Sequence, residues 1–301
     1  MNREQYDALT TGQVAQLVQE TGPHVCVFPV NGTRRWFILE NDVNPSDDWL
    51  AEYRDIAGKR HVELYAMLFE HGIHTLLTPI YGPDIAQRGD AYMDEIVIQG
   101  IRHLITHPDF VEFYEQRDVR VRFYGDYRDQ LPKDLVEEMA QITERTRDHD
   151  THRLFYGICA GDPTASIARI ALRTGSTDKD VIVKAYYGEP VDPVDVFIGF
   201  GPFSAFDMPL LTTGFEALYF MVSPSPYLDA PTLRSILYDF AYERREPDYG
   251  QLQAHDWELM DRFYRLNRHV VLGTGTTNRA GVWFPSSGPH YPPDSCRRLV
   301  E

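Results

Sequence analysis

Cysteine is scarce: Cys26, Cys159 and Cys296 are the only three in 301 residues. They are far apart and form no CxxC pair, which excludes a disulfide framework or a zinc knuckle and fits a reducing compartment. Basic residues are also few, 29 Lys and Arg against 45 Asp and Glu, for a net charge of −16. A nucleic-acid backbone needs clustered cations, so nucleic acid is excluded as a partner, and any polyanionic ligand would require a locally basic pocket. No apolar run approaches the ~20 residues of a membrane span. The stretch Met1–Thr11 is polar and shows no signal peptide. The expectation is a soluble, cytoplasmic protein without stable membrane insertion. Neither a long Gly/Ser linker nor a repeat breaks the chain, so residues 1–301 read as one domain. Residues 285–301, rich in Pro, Ser and Gly, are the expected flexible tail.

What is present alternates. Six short β-branched or aromatic runs stand out: His24–Val30, Ile73–Ile80, Val119–Tyr124, Arg153–Ala160, Asp195–Phe200 and Ala217–Val222. Between most of them lie stretches with apolar residues at helical spacing, namely Ala57–His71, Asp84–Thr106, Lys133–Arg147 and Asp178–Tyr187. Two further helices, about Ala230–Arg244 and Asp256–Asn267, follow the last run. Strands alternating with helices predict an α/β fold whose mainly parallel sheet is covered on both faces. Ligands in such sheets gather at the carboxyl ends of the strands. That directs attention to Asn31–Arg35, Tyr81–Asp84, Gly125–Tyr127, Gly161–Asp162 and Gly201–Phe206.

The sharpest local signal is Pro29-Val30-Asn31-Gly32-Thr33-Arg34-Arg35-Trp36-Phe37. Gly32 permits a tight turn, and a helix opening behind it would present free amides to an anion. Arg34 and Arg35 add guanidinium groups suited to phosphate oxygens. On composition alone a solvent-exposed turn explains the same residues. Other candidates are weaker. Gly199-Phe200-Gly201-Pro202-Phe203-Ser204 lacks the third glycine of a dinucleotide loop and reads as a strand end with a turn. His71 with His74, and His103 with His107, have metal-pair spacing but no HExxH context, so they read as helix-end or surface histidines. Asp47 and Asp48 are explained as well by a helix N-terminus as by a metal box. The 18 Tyr, 16 Phe and 4 Trp serve a core by default and could also line an apolar pocket.

These runs resemble the cis-prenyltransferases, the family of undecaprenyl diphosphate synthase. The Asn-Gly-Thr-Arg-Arg-Trp stretch is similar to the family's opening Asp-Gly-x-x-Arg-Trp signature. The similarity continues through Val119–Asp126, Leu131-Pro132 and Asp195–Phe220. Within the family the chain looks like the tuberculosinol and kolavelool synthase branch. That likeness rests on Gly32–Phe37, Met67–Ile73, Arg88-Gly89-Asp90 with Tyr92, Phe123–Tyr127, Tyr186–Glu189, Phe197–Phe206 and Arg234–Asp239. It implies a six-stranded mainly parallel sheet surrounded by helices, a homodimer, and Mg2+ as cofactor.

The resemblance also implies the site. Gly32, Thr33, Arg34 and Arg35 would hold a substrate diphosphate, and Tyr92 and Tyr53 would orient the attacking water, with Trp49 competing for Tyr53's alignment. The implied reaction ionises a bicyclic clerodane- or halimane-type diterpenyl diphosphate and quenches the cation with water. Products would be a diterpene alcohol and pyrophosphate. Transfer to a nucleoside such as adenosine, and a non-catalytic partner subunit, are the alternatives. Two departures matter. No Lys or Arg lies between Asp195 and Phe220, so a second diphosphate for chain elongation lacks cations; Ala217 also replaces the family's metal-binding Glu, with Glu216 one residue early. Asn31 stands where the family carries the Asp that helps hold Mg2+, and an amide oxygen is a weaker ligand than a carboxylate. A natural variant needing little metal, an inactive relative and an engineered substrate trap are three open readings of Asn31.

Overall fold

All six runs become strands of one sheet in the computed structural model, which describes residues 1–41, 49–82, 97–128, 130–159, 161–244 and 252–286. They are β1 (Val25–Val27), β2 (Thr75–Tyr81), β3 (Val119–Tyr124), β4 (His152–Ile158), β5 (Val196–Phe200) and β6 (Ala217–Met221). Their order is β3-β4-β2-β1-β5-β6, and every neighbouring pair is parallel. The chain leaves β1 toward β2 on one side and later returns to place β5 on the other. The carboxyl end of β1 is therefore a topological switch point, where a crevice opens in such sheets.

Side-chain alternation assigns the two faces. Cys26, Leu76, Leu154, Tyr156, Val196 and Ile198 point into one core, packed under helices α1 (Arg3–Asp7), α2 (Thr11–Thr21), α4 (Leu50–Glu70), α5 (Gln99–Thr106), α6 (Pro108–Gln116), α7 (Lys133–Arg145) and α10 (Ala230–Tyr238). Their sequence neighbours Val25, Val27, Leu77, Phe155 and Phe197 point the other way, into a second core closed by α8 (Pro163–Thr174) and α9 (Lys179–Tyr187). Burial on both faces is why these strands read as continuous apolar runs. Cys26 and Cys159 are buried free thiols, and burial pushes both thiol pKa values up, which makes them inert packing residues.

The helices depart from the sequence expectation in informative ways. α4 starts at Leu50, seven residues before the expected Ala57. Of the long helix expected over 84–106, residues 84–96 lie outside the described residues, and the remainder carries α5, which runs from Gln99 to Thr106. Pro108 disfavours helical geometry at His107, and a new helix, α6, opens there with Pro at its first turn. Local capping explains two helices that periodicity did not reveal: Thr10 and Gln13 form a capping box on α2, and Asp162 accepts from Thr164 N at 2.9 Å ahead of Pro163 on α8. After α10 come one π-helical turn (Asp239–Glu243), α11 (Ala254–Asn267) and an antiparallel hairpin of β7 (Gly275–Thr277) and β8 (Trp283–Pro285). Pro285, the expected start of the tail, closes β8, and residues 287–301 lie outside the described residues. Among the described residues no helix is long and apolar enough to cross a membrane.

Candidate functional site

The loop leaving β1 is held by a residue far away in sequence. Ser225, fully buried, donates its hydroxyl to Pro29 O at 3.1 Å and accepts from Asn31 N at 3.1 Å. Its own amide donates to Asn31 O at 3.0 Å. Asn31 is thus fixed through both backbone groups while its side chain stays exposed at the crevice. Sequence reasoning passed over Ser225, because a serine in a Ser-Pro-Ser-Pro stretch carries only a turn signal.

Gly32 follows with φ +78°, a left-handed conformation that favours glycine. A Cβ there would stand 2.9 Å from Pro224 Cβ and 3.0 Å from a Phe200 ring carbon, so close approach adds to the conformational demand. Helix α3 (Thr33–Glu40) begins at once, and its first backbone bond runs from Trp36 N to Gly32 O at 3.0 Å. The amides of Thr33, Arg34 and Arg35 therefore face outward at the positive end of the helix dipole. Buried Thr33 turns its hydroxyl back to Val30 O at 2.9 Å and so tightens the loop.

Arg34 and Arg35 are exposed, and among the described residues no carboxylate comes within salt-bridge distance of either. Contrast Arg122 and Arg153, each bonded to buried Glu189 at 2.8 Å. Two adjacent cations without carboxylate partners, in a chain of charge −16, leave a basic patch at the helix start. The Arg35 guanidinium lies against the turn of the β7–β8 hairpin, since a Cβ on Gly281 would be 3.1 Å from Arg35 Nη2. The hairpin is anchored beside the crevice by Phe203, which stacks on Phe220 at 4.7 Å and lies 6.0 Å from Trp283.

One turn further along α3, Phe37 faces inward and joins the basic patch to an apolar cavity. Phe37, Trp49 and Tyr53 form a triangle of rings with centroids 5.4–5.8 Å apart. Tyr53 then lines a cavity of about 140 Å³ with Ala57, His61, Ile80, Ile101 and His103. Its wall is overwhelmingly apolar, and burial holds the His61 imidazole down to about 4, so the ring is neutral at neutral pH. Both aromatic candidates, Trp49 and Tyr53, pack on Phe37, and only Tyr53 reaches the cavity among its lining residues. Tyr92, the segment Arg88-Gly89-Asp90 and the acidic pair Asp47 and Asp48 lie outside the described residues.

The expected Mg2+ site does not assemble from these residues. Asn31 offers one neutral oxygen, and among the described residues no group of three His, Cys, Asp or Glu donors lies at this loop. Glu216 is occupied at the opposite end of its strand, where it accepts from the amides of Thr213 and Gly214. Octahedral Mg2+ asks for carboxylates or phosphates, so the described residues alone do not fit a resident ion. His71 and His74 do not converge either: His71 bonds Met67 O and His74 bonds the Thr75 hydroxyl.

No family model matches the chain. It is 39% identical over 284 residues to tuberculosinyl adenosine transferase of Mycobacterium tuberculosis, covering 90% of this chain and 94% of the relative. The chain belongs to the tuberculosinyl adenosine transferase family. A second family relative is (+)-kolavelool synthase of Herpetosiphon aurantiacus, 26% identical over 275 residues, 90% of this chain and 92% of that one. Two solved structures share the fold. A probable undecaprenyl diphosphate synthase from Campylobacter jejuni matches with a TM-score of 0.54 at 18% identity, over 76% of this chain and 98% of that one. Lavandulyl diphosphate synthase from Lavandula x intermedia, solved with dimethylallyl diphosphate, matches at 0.58 and 14%, over 79% and 100%. The tuberculosinyl adenosine transferase family thus builds on the cis-prenyltransferase-like fold, a single α/β domain with six parallel strands, as the sequence resemblance implies.

Proposed function

We propose that this chain is an enzyme that breaks the allylic C–O bond of a diterpenyl diphosphate and passes the resulting cation to a nucleophile. The observation that carries this reading is helix α3, which unites the two halves of such a substrate. Its first turn presents the amides of residues 33–35 and the guanidinium groups of Arg34 and Arg35 to an anion. Its inner face presents Phe37, and through Phe37 the Tyr53 cavity, to an apolar chain. As the C–O bond lengthens, negative charge grows on the departing diphosphate, where fixed donors stabilise it. Positive charge grows on the allylic carbon, where ring faces contribute roughly 0.5–2 kcal/mol each. At about 140 Å³ the cavity is smaller than the ~300–1,000 Å³ that enclose drug-sized ligands, so it would take the distal end of the hydrocarbon only.

The nucleophile divides the two readings. The 39% identity to a protein named for adenosine transfer favours attack by a nucleoside nitrogen, giving a diterpenyl nucleoside and pyrophosphate. The likeness to a kolavelool synthase favours attack by water, giving a diterpene alcohol, pyrophosphate and a proton. Incubation with a clerodane- or halimane-type diterpenyl diphosphate, with and without adenosine, separates them by product mass. A prenylated nucleoside formed only with adenosine supports the transferase, and an alcohol formed in both supports the synthase. Neither product, together with no binding of any prenyl diphosphate, would overturn the enzyme reading and leave the partner-subunit alternative.

The exposed edge supports the expected homodimer. Among the described residues β6 ends the sheet unpaired, with Leu218 44% and the neighbouring Phe215 88% exposed, and α11 buries none of its residues. An apolar open edge is a hazard that a second copy would cover. Sedimentation at micromolar concentration should therefore give a dimer that Leu218→Lys splits into monomers. A monomeric wild-type chain would remove the proposal.

A further inference from the structure

A side-chain cluster on the cavity's outer wall shares His103 with the cavity lining, but its other two members, Asp55 and His107, have no part in the reading above. Asp55 on α4, His103 on α5 and His107 at the α5–α6 junction each bring one ligand atom to within 4.8 Å of the others. His103 and His107 are one helical turn apart and stack with ring centroids 4.1 Å apart. The sequence shows only this pair; the third donor comes from α4, which packs across α5 and exposes Asp55 beside the two rings. His103 is clamped by its neighbour: a Cβ on Gly58 would stand 2.6 Å from His103 Nε2, and that nitrogen is buried without a hydrogen-bond partner. The charged groups facing His103 are Asp55, Asp109 and Arg54, two carboxylates against one guanidinium. His107 Nδ1 accepts from Asp109 N at 3.3 Å as the cap of α6, and the Asp109 carboxylate lies 3.8 Å from the same nitrogen, beyond hydrogen-bond distance.

We infer that Asp55, His103 and His107 form a binding site for a divalent transition-metal cation of the Zn2+ class. Two imidazoles and one carboxylate suit such an ion, whereas Mg2+ and Ca2+ prefer all-oxygen shells. Ligand bonds of about 2.0–2.1 Å require the stacked His103 and His107 rings to splay so that both nitrogens point at one ion, as well as rotation of the exposed Asp55 side chain. The bound ion would tie α4 to the α5–α6 junction and stiffen the wall of the cavity that His103 also lines. It is separate from the diphosphate loop, so it stands or falls independently of the proposed reaction.

The test is calorimetric titration of the chelator-treated full chain with Zn2+, beside Co2+ titration followed by its visible absorption. One equivalent should bind, with a rise in melting temperature, and millimolar Mg2+ should give neither. Asp55→Asn, an exposed change, and His107→Asn, which keeps a capping side chain for α6, should each weaken Zn2+ binding at least about tenfold. Circular dichroism checks that both variants keep their helices. No equivalent bound more tightly than about 100 µM, or equal affinity in both variants and the wild type, would overturn the site.

Discussion

Arg34→Ala is expected to lower kcat/KM for a diterpenyl diphosphate by about 10- to 150-fold, and Arg35→Ala by a similar factor. A hydrogen bond to a charged group contributes roughly 1.5–3 kcal/mol, and 1.36 kcal/mol is tenfold in rate. Neither side chain has a carboxylate partner to lose among the described residues, so truncation should leave the melting temperature nearly unchanged. That separates a binding role from a structural one. Lysine at either position keeps the charge but not the planar fork and should restore only part of the activity. Arg35 lies against Gly281, so Arg35→Ala should also loosen the β7–β8 hairpin, visible as faster amide exchange there and not in Arg34→Ala. Activity within twofold of wild type in both variants would remove the loop from the diphosphate site.

The sheet and the turn at Gly32 were legible in the sequence for a physical reason: strands buried on both faces need continuous apolar runs, and a left-handed turn that rejects Cβ needs glycine. What was not legible depends on contacts across the chain. Ser225 holds Asn31 across 194 positions, and Asp55 meets His103 only because α4 crosses α5. Several runs that marked the resemblance serve the scaffold. Glu189 of the Tyr186–Glu189 run neutralises Arg122 and Arg153, and Asp126 of the Phe123–Tyr127 run accepts from Gly161 N at 3.1 Å and the Ser166 hydroxyl at 3.2 Å. Arg234 ties α10 to the N-terminus through Tyr6 O and Leu9 O. A family pattern does not separate residues kept for folding from residues kept for chemistry. The geometry offers one distinction: Arg122 and Arg153 are paired with Glu189, whereas among the described residues Arg34 and Arg35 have no carboxylate partner.

Asn31→Asp is expected to make turnover steeply dependent on Mg2+. The substitution is nearly isosteric, and Ser225 fixes the backbone of residue 31 at both N and O, so the loop should keep its shape while the side chain gains a charge. A carboxylate is the hard, anionic oxygen ligand that the described loop lacks, and with a diphosphate it would complete an oxygen shell for Mg2+. Without Mg2+ the same carboxylate faces a polyanion and repels it. Two unit charges about 4 Å apart interact by ~4 kcal/mol at an effective dielectric of 20 and by ~1 kcal/mol in bulk water, which brackets the penalty at an exposed loop. Kinetics in chelator should therefore put the variant at least about fivefold below wild type, and millimolar Mg2+ should raise it above wild type by tenfold or more. Ser225→Ala removes the hydroxyl bonds to Pro29 O and Asn31 N, leaving only its amide on Asn31 O, and should blunt both effects by loosening the hold on the new carboxylate. Equal Mg2+ dependence in the wild type and Asn31→Asp would mean that residue 31 does not face the leaving group. The diphosphate would then have to be held by Arg34, Arg35 and the α3 amides alone.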